Sequence, residues 1–187
     1  HGLDVAEAIE IGRAVADHGV DVLSVSVGVY LSFNKLSMVT GEPEGQWLDL
    51  AGEVKAGIPI PVMGVGRLVR ASVAEQGLAA GQIDLACFGR ASMADAELPA
   101  KIRSGRESEV MACMGCNICL GRSSRPESIC PVNPAIGREA EFEFAATAVP
   151  QKVAVVGSSF SALTAAWVAA LRGHRVSLHF NGAVGGL

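Results

Sequence analysis

The chain has 187 residues, half of them hydrophobic and 18% charged, with a formal net charge of -4. That is enough apolar surface for a buried core, and it excludes a disordered tail. The acidic balance and the lack of any Lys/Arg run argue against a nucleic-acid or anionic-membrane surface, leaving small molecules or other proteins as partners.

The start, "HGLDVAEAIE", has no basic segment leading into an apolar stretch, so nothing in it directs export and a reducing cytoplasm is expected. Asp4 is placed to cap a helix reaching about Asp17, with Val5, Ala8, Ile9, Val15 and Ala16 at helical spacing and Gly19 as the stop. "VDVLSVSVG" is short, continuous and β-branched, and reads as a buried strand. A polar loop is expected over about 30–45. Then "QWLDLAGEVKAG" predicts a helix, "IPVMGVG" a second strand, "ASVAEQGLAAG" a helix, "IDLACFG" a third strand and "DAELPAKIRSG" a helix. Strands alternating with helices in this way lie parallel, because each connection is long enough to cross the sheet, so the fold class is α/β.

Residues 112–137 carry most of the cysteine, and 138–151, within "REAEFEFAATAVPQ", have no clean periodicity and read as a linker. "KVAVVG", "SSFSALTAAWVAALRG" and "HRVSLHF" then form strand, helix and strand, one βαβ unit within 152–187. Residues 153–171 are uncharged over a length that would span a bilayer, but Gly157-Ser158-Ser159 interrupt them and no membrane span is expected. One βαβ unit cannot cover both faces of its sheet, and three αβ repeats cannot close a barrel of about 250 residues. With His at position 1, the expectation is a piece of a longer chain.

"CMGCNICLGRSSRPESIC" places Cys113, Cys116, Cys119 and Cys130 in a C-x2-C-x2-C-x10-C pattern followed by Pro131. A disulfide knot suits small secreted chains, whereas this one has a core, no export signal and an odd cysteine count. Structural zinc usually takes two separated C-x2-4-C knuckles. Three thiolates at three-residue steps, with a fourth from a distance and before proline, match the ligand layout of a cubane iron–sulfur cluster better. Both metals accept thiolates, so zinc stays open on ligand chemistry alone. Cys87 reads as a small buried hydrophobe, and His18 and His174 as surface histidines.

"VMGVGRL", "DLACFGRASMADAELPAKIRSGR", "MACMGCNICLGRSSRPESICPVNPAIGRE" and "KVAVVG" together resemble the old yellow enzyme-like NADH:flavin oxidoreductase family. The resemblance is to its iron–sulfur branch, the trimethylamine dehydrogenase and 2,4-dienoyl-CoA reductase type. It implies that residues 1–111 are the C-terminal βα units of a TIM (β/α)8 barrel holding FMN and that the four cysteines hold a [4Fe–4S] cluster. It also implies that a Rossmann-like FAD/NAD(P)-binding domain begins near 152.

In such a barrel the turns Gly64-Val65-Gly66-Arg67 and Gly89-Arg90 follow its last two strands, where phosphate is frequently bound. Arg67 and Arg90 are then the expected FMN phosphate ligands, with Gly64, Gly66 and Gly89 allowing backbone approach; the alternative is turn glycines beside solvated arginines. Tyr30, the chain's only tyrosine, falls just past a strand end at the barrel mouth and is the candidate catalytic proton donor, against the plainer reading of a packed phenol. In "VVGSSFSALTAA", Gly157 and Ala162 keep a dinucleotide-binding pattern but Ser159 replaces the second glycine. The acidic residue expected at the next strand end is missing, with His179, Phe180 and Asn181 there instead. FAD, ADP or NAD(P) binding is weighed against a structural βαβ unit, and "GAVGG" keeps binding open.

The sequence therefore predicts a flavin and iron–sulfur oxidoreductase passing electrons between an amine or enoyl-type substrate and a second carrier, an electron-transfer protein or NAD(P)H. A homo-oligomer is compatible with this. The rivals are a non-catalytic electron-transfer or interaction module with a decayed nucleotide site, and a zinc-stabilised α/β domain.

Overall fold

The computed structural model describes residues 2–120, 129–142 and 144–185. The chain is α/β and divides into two compact units, one ending at Gly137 and the other starting at Arg138. Among the described residues no helix is long and apolar enough to cross a membrane.

The first unit opens with α1 (Val5–Asp17), closed at its N-terminus by the reciprocal pair its sequence offers. The Glu7 N–H donates to Asp4 Oδ1 at 2.9 Å, and the Asp4 N–H donates to Glu7 Oε2 at 3.0 Å. Gly12 is the buried residue of α1, and a Cβ there would stand 2.8 Å from Ile58 Cγ2, so the helix packs through a notch. The chain continues through β1 (Leu23–Val25), a 3-10 turn (Tyr30–Ser32) and α2 (Phe33–Leu36). The stretch expected as a loop over 30–45 is thus partly helical. Its exposed Leu31 and Phe33 gave no amphipathic signal, since the turns are too short to show a period.

Next come α3 (Leu48–Gly57), β2 (Val62–Gly64), α4 (Ala71–Ala79), β3 (Leu85–Ala86), α5 (Gly89–Ala94) and α6 (Leu98–Arg103). The three strands are parallel in the order β1-β2-β3, with Val25 opposite Gly64 and Gly64 opposite Ala86. They are shorter than the apolar runs suggest, because only the central residues find a ladder partner. Val25, Leu48, Val54, Val62, Leu68 and Ile83 form the core beneath the sheet and its helices.

The helix expected over 95–105 is shorter, α6 running only over Leu98–Arg103, and the separate α5 precedes it. Asp95 ends α5 and turns its carboxylate onto the Glu97 N–H at 3.0 Å, an Asx-type stop, and Pro99 opens α6 where a missing N–H costs nothing. Asp95 is 1% exposed and Lys101 8%. Asp95 Oδ2 accepts from Lys101 Nζ at 2.7 Å and from the Met111 N–H at 2.9 Å, while Lys101 Nζ also donates to Glu109 O at 3.1 Å. This buried pair fixes the chain two residues before Cys113. Burial opposes the charge on Asp95, but the Lys101 ammonium and the Met111 and Glu97 N–H groups outweigh it and hold the carboxyl below its ordinary value.

The second unit contains β4 (Lys152–Val156), α7 (Phe160–Leu171) and β5 (Arg175–His179), with the two strands parallel and Val156 opposite His179. The uncharged run 153–171 is therefore strand, turn and helix. Residues preceding β4 pack onto this unit: the Phe144 ring lies 6.0 Å from that of Trp167, and the Thr147 N–H donates to Arg172 O at 2.8 Å. His174 is half-buried rather than fully exposed, because its Nδ1 accepts the Gln151 N–H at 3.1 Å. His18 is exposed as expected, donating to Ala14 O.

Candidate functional site

A cavity of about 500 Å³ lies at the C-terminal ends of β1, β2 and β3, lined by residues that follow each strand. Both Gly-Arg turns reach it. Gly66 has φ +138° and a Cβ there would stand 3.1 Å from the Trp47 nitrogen, so backbone shape and space both call for glycine. Gly89 has open space where a Cβ would be, which leaves its backbone approachable from the cavity. Gly64 does not line the cavity: it is buried at the end of β2, where any Cβ would collide with the Ile83 side chain. Its glycine serves packing.

The arginines are held, not solvated. Arg67 takes the left-handed backbone at φ +55°, a conformation a non-glycine residue adopts only when its surroundings impose it. Its Nη1 donates to Glu42 O at 2.6 Å, and its Nε is buried with no partner among the described residues. An orphaned guanidinium N–H beside a cavity is what an anionic oxygen would satisfy, so the residues present fit a phosphate. Arg90 donates through Nη1 to Met38 O at 2.7 Å and to Asn117 Oδ1.

The cysteine loop forms another wall of the same cavity, through Cys113, Gly115 and Leu120. Thr40 Oγ1 donates to Met114 O, and Asn117 Nδ2 donates to Ser37 O at 2.8 Å, so the loop is stitched to the 37–40 segment. Burial raises the Cys119 thiol above its ordinary value, nearby Cys113, Cys130 and Cys116 add to that, and Arg90 pulls the other way. Among the described residues no three Cys, His, Asp or Glu side chains are gathered closely enough to hold a single metal ion. Residues 121–128 of the predicted spacer between Cys119 and Cys130 lie outside the described residues.

Tyr30 is 89% exposed and stands on the rim of the cavity. Cys87, expected as a buried hydrophobe, is half-buried and lines the cavity, because β3 ends one residue before it and its side chain is released from the sheet. Sequence reasoning missed Asn117, whose signal was an asparagine between two cysteines, a residue that tolerates the left-handed turn it adopts here at φ +58°.

In the second unit Gly157 has φ +133°, and Ser159 caps α7 by accepting the Ala162 N–H on its hydroxyl at 3.3 Å. A helix-start amide that a pyrophosphate would contact is thus already occupied. His179, in the place of the expected acid, bonds the Ser177 hydroxyl. Gly186, the last glycine of "GAVGG", lies outside the described residues.

The NADH:flavin oxidoreductase / NADH oxidase family profile matches residues 1–109. The chain belongs to this family. Its relatives include the NADH oxidase of Thermoanaerobacter brockii, 37% identical over 95% of this chain and 28% of that protein. The cinnamate reductase of Clostridium sporogenes is 33% identical over 99% of this chain and 28% of that protein. Histamine dehydrogenase from Rhizobium sp. 4-9 superposes with a TM-score of 0.85 at 29% identity, covering 97% of this chain and 27% of that one. A 2-naphthoyl-CoA reductase in complex with 2-naphthoyl-CoA gives 0.82 at 32% identity, covering 92% and 27%. The chain spans 28% of the length of the first two curated relatives. The match to this flavin oxidoreductase family ends at residue 109, ahead of Cys113, whereas the alignments to the T. brockii and C. sporogenes proteins cover nearly the whole chain.

Proposed function

We propose that this chain is the part of an FMN- and [4Fe–4S]-dependent oxidoreductase in which the two cofactors meet. Residues 1–111 would be the C-terminal βα units of the FMN barrel, 112–137 the cluster segment, 138–151 the connection and 152–187 the first βαβ unit of a nucleotide-binding-like domain. One observation carries this reading: Cys113 lies in the wall of the cavity that also receives Arg67 and Arg90. Bound there, FMN supplies hydride or electron-pair exchange with an organic substrate, and the cluster supplies single-electron transfer to a second carrier.

Arg67 and Arg90 bind and orient the flavin phosphate, with the Gly66 and Gly89 turns allowing close backbone approach. Cys113, Cys116, Cys119 and Cys130 hold the metal. The C-x2-C-x2-C-x10-C spacing of these cysteines, with Pro131 after the last, supports the cluster over zinc. A relative named as a cinnamate reductase and a solved neighbour named as a histamine dehydrogenase both support a small organic substrate. With Ser159 satisfying the Ala162 amide itself, we assign the βαβ unit a structural role over FAD, ADP or NAD(P) binding at that turn.

Arg67→Gly in the complete gene product removes the guanidinium while suiting the left-handed backbone. Losing a charge-assisted hydrogen bond worth about 1.5–3 kcal/mol should weaken FMN binding roughly 10- to 100-fold, read from the fluorescence of released flavin. Unchanged FMN affinity would remove Arg67 from the phosphate site. Tyr30 presents a phenol at the rim; because it is so exposed, Tyr30→Phe should lower kcat/KM by less than about tenfold without changing FMN content. A larger loss would mean that the hydroxyl is desolvated in the working enzyme.

A further inference from the structure

Asn117 lies between Cys116 and Cys119, in a left-handed turn at φ +58°. Its side chain bonds residues outside the cysteine loop. Oδ1 accepts from Ser37 Oγ at 3.1 Å and from Arg90 Nη1, and Nδ2 donates to Ser37 O at 2.8 Å. Ser37 is 5% exposed, so this pairing satisfies a buried hydroxyl as well as the amide. Arg90 is closed from its other side by Met38 O at 2.7 Å. The guanidinium is therefore gripped between the Met38 carbonyl and the cysteine loop, on the wall of the cavity, and its bond to Asn117 places the charge beside the turn that joins Cys116 to Cys119.

We propose that Asn117 is a positioning residue that fixes the single Arg90 cation between the flavin cavity and the cysteine set, so that one side chain both anchors the flavin and tunes the cluster. This rests on the reading of the cavity as the FMN site and of the cysteines as cluster ligands. Without the Asn117 amide, Arg90 keeps only the Met38 carbonyl and regains the rotamer freedom of a long side chain. A cation drawn away from thiolate-ligated iron destabilises the more negative, reduced form, so the reduction potential falls.

The test uses the complete gene product, prepared without air, with Asn117→Gly. Glycine keeps the left-handed turn and removes only the side-chain bonds. The expected result is unchanged iron and acid-labile sulfide, a cluster midpoint potential shifted in the negative direction, and an FMN dissociation constant raised several-fold. Wild-type potential and wild-type FMN affinity in a fully loaded Asn117→Gly protein would overturn the inference. Should Asn117→Gly fail to assemble its iron, Ser37→Ala decides. It removes one bond to the Asn117 amide from outside the cysteine loop, and a smaller shift in the same direction supports the inference, whereas none overturns it. Absence of iron and sulfide from the unsubstituted protein would instead overturn the underlying reading, and the inference with it.

Discussion

Asp95→Ala is expected to destabilise the first unit by about 3–5 kcal/mol, the range for breaking a buried ion pair from one side. The substitution leaves the Lys101 ammonium buried without its counter-charge and strips acceptors from the Glu97 and Met111 N–H groups. The loss reaches the proposed cluster segment through the chain, because Met111 stands two residues before Cys113, so iron content should fall along with the urea midpoint. A urea midpoint within experimental error of the unsubstituted protein would contradict this account of the pair.

The same pair gives a pH dependence with a definite sign. The folded-state pKa of Asp95 lies below the ordinary 3.8, so its contribution is fully present above that value. It is lost as the pH falls through the lower folded value. Asp95→Asn removes the charge while keeping the shape. The stability gap between the unsubstituted protein and its Asp95→Asn variant should therefore be widest at neutral pH and narrow in acid; a gap that widens on acidification would reverse the assignment.

Gly115→Ala is the second large effect. Gly115 has φ +72° and is buried, and a Cβ there would stand 3.0 Å from the Thr40 nitrogen, 3.2 Å from the Val39 carbonyl carbon and 3.4 Å from Arg67 Nε. Left-handed strain adds about 1–2 kcal/mol, and forcing a methyl against backbone that cannot retreat adds about 1–3 kcal/mol. Because Gly115 immediately precedes Cys116 and packs on Arg67, relief of the clash moves both the thiolate and the cation. The expected outcome is a protein that loses most of its iron and also binds FMN more weakly, measured as metal and flavin per chain. Normal loading of both would show that the loop tolerates displacement and that the close packing is incidental.

Much of this was legible in the sequence wherever periodicity or a cap was involved. Asp4 announced the start of α1, Gly19 its end, and the alternation of apolar runs with helical patterns announced parallel strands. What was not legible were features decided by tertiary partners. The late start of α6 arises because Asp95 turns its carboxylate onto the Glu97 N–H and is held by Lys101 and the Met111 N–H, which helical spacing does not record. The helical turns over 30–36 are too short for a period. Gly64 and Gly66 look alike in "VMGVGRL", yet one is a packing glycine against Ile83 and the other belongs to the cavity. Arg67 and Arg90 were visible as cations, but not that each is held by a main-chain carbonyl, nor that Asn117 reaches across to Arg90.

The claim on which the functional account rests is that the thiolates beside the Gly-Arg cavity bind inorganic iron and sulfide next to a flavin. Anaerobic purification of the complete gene product, followed by assay of iron, acid-labile sulfide and FMN on the same sample, tests it most directly. The account predicts iron and sulfide in equal amounts, about four of each per chain, with FMN alongside. Zinc in place of iron, with no labile sulfide, would contradict it.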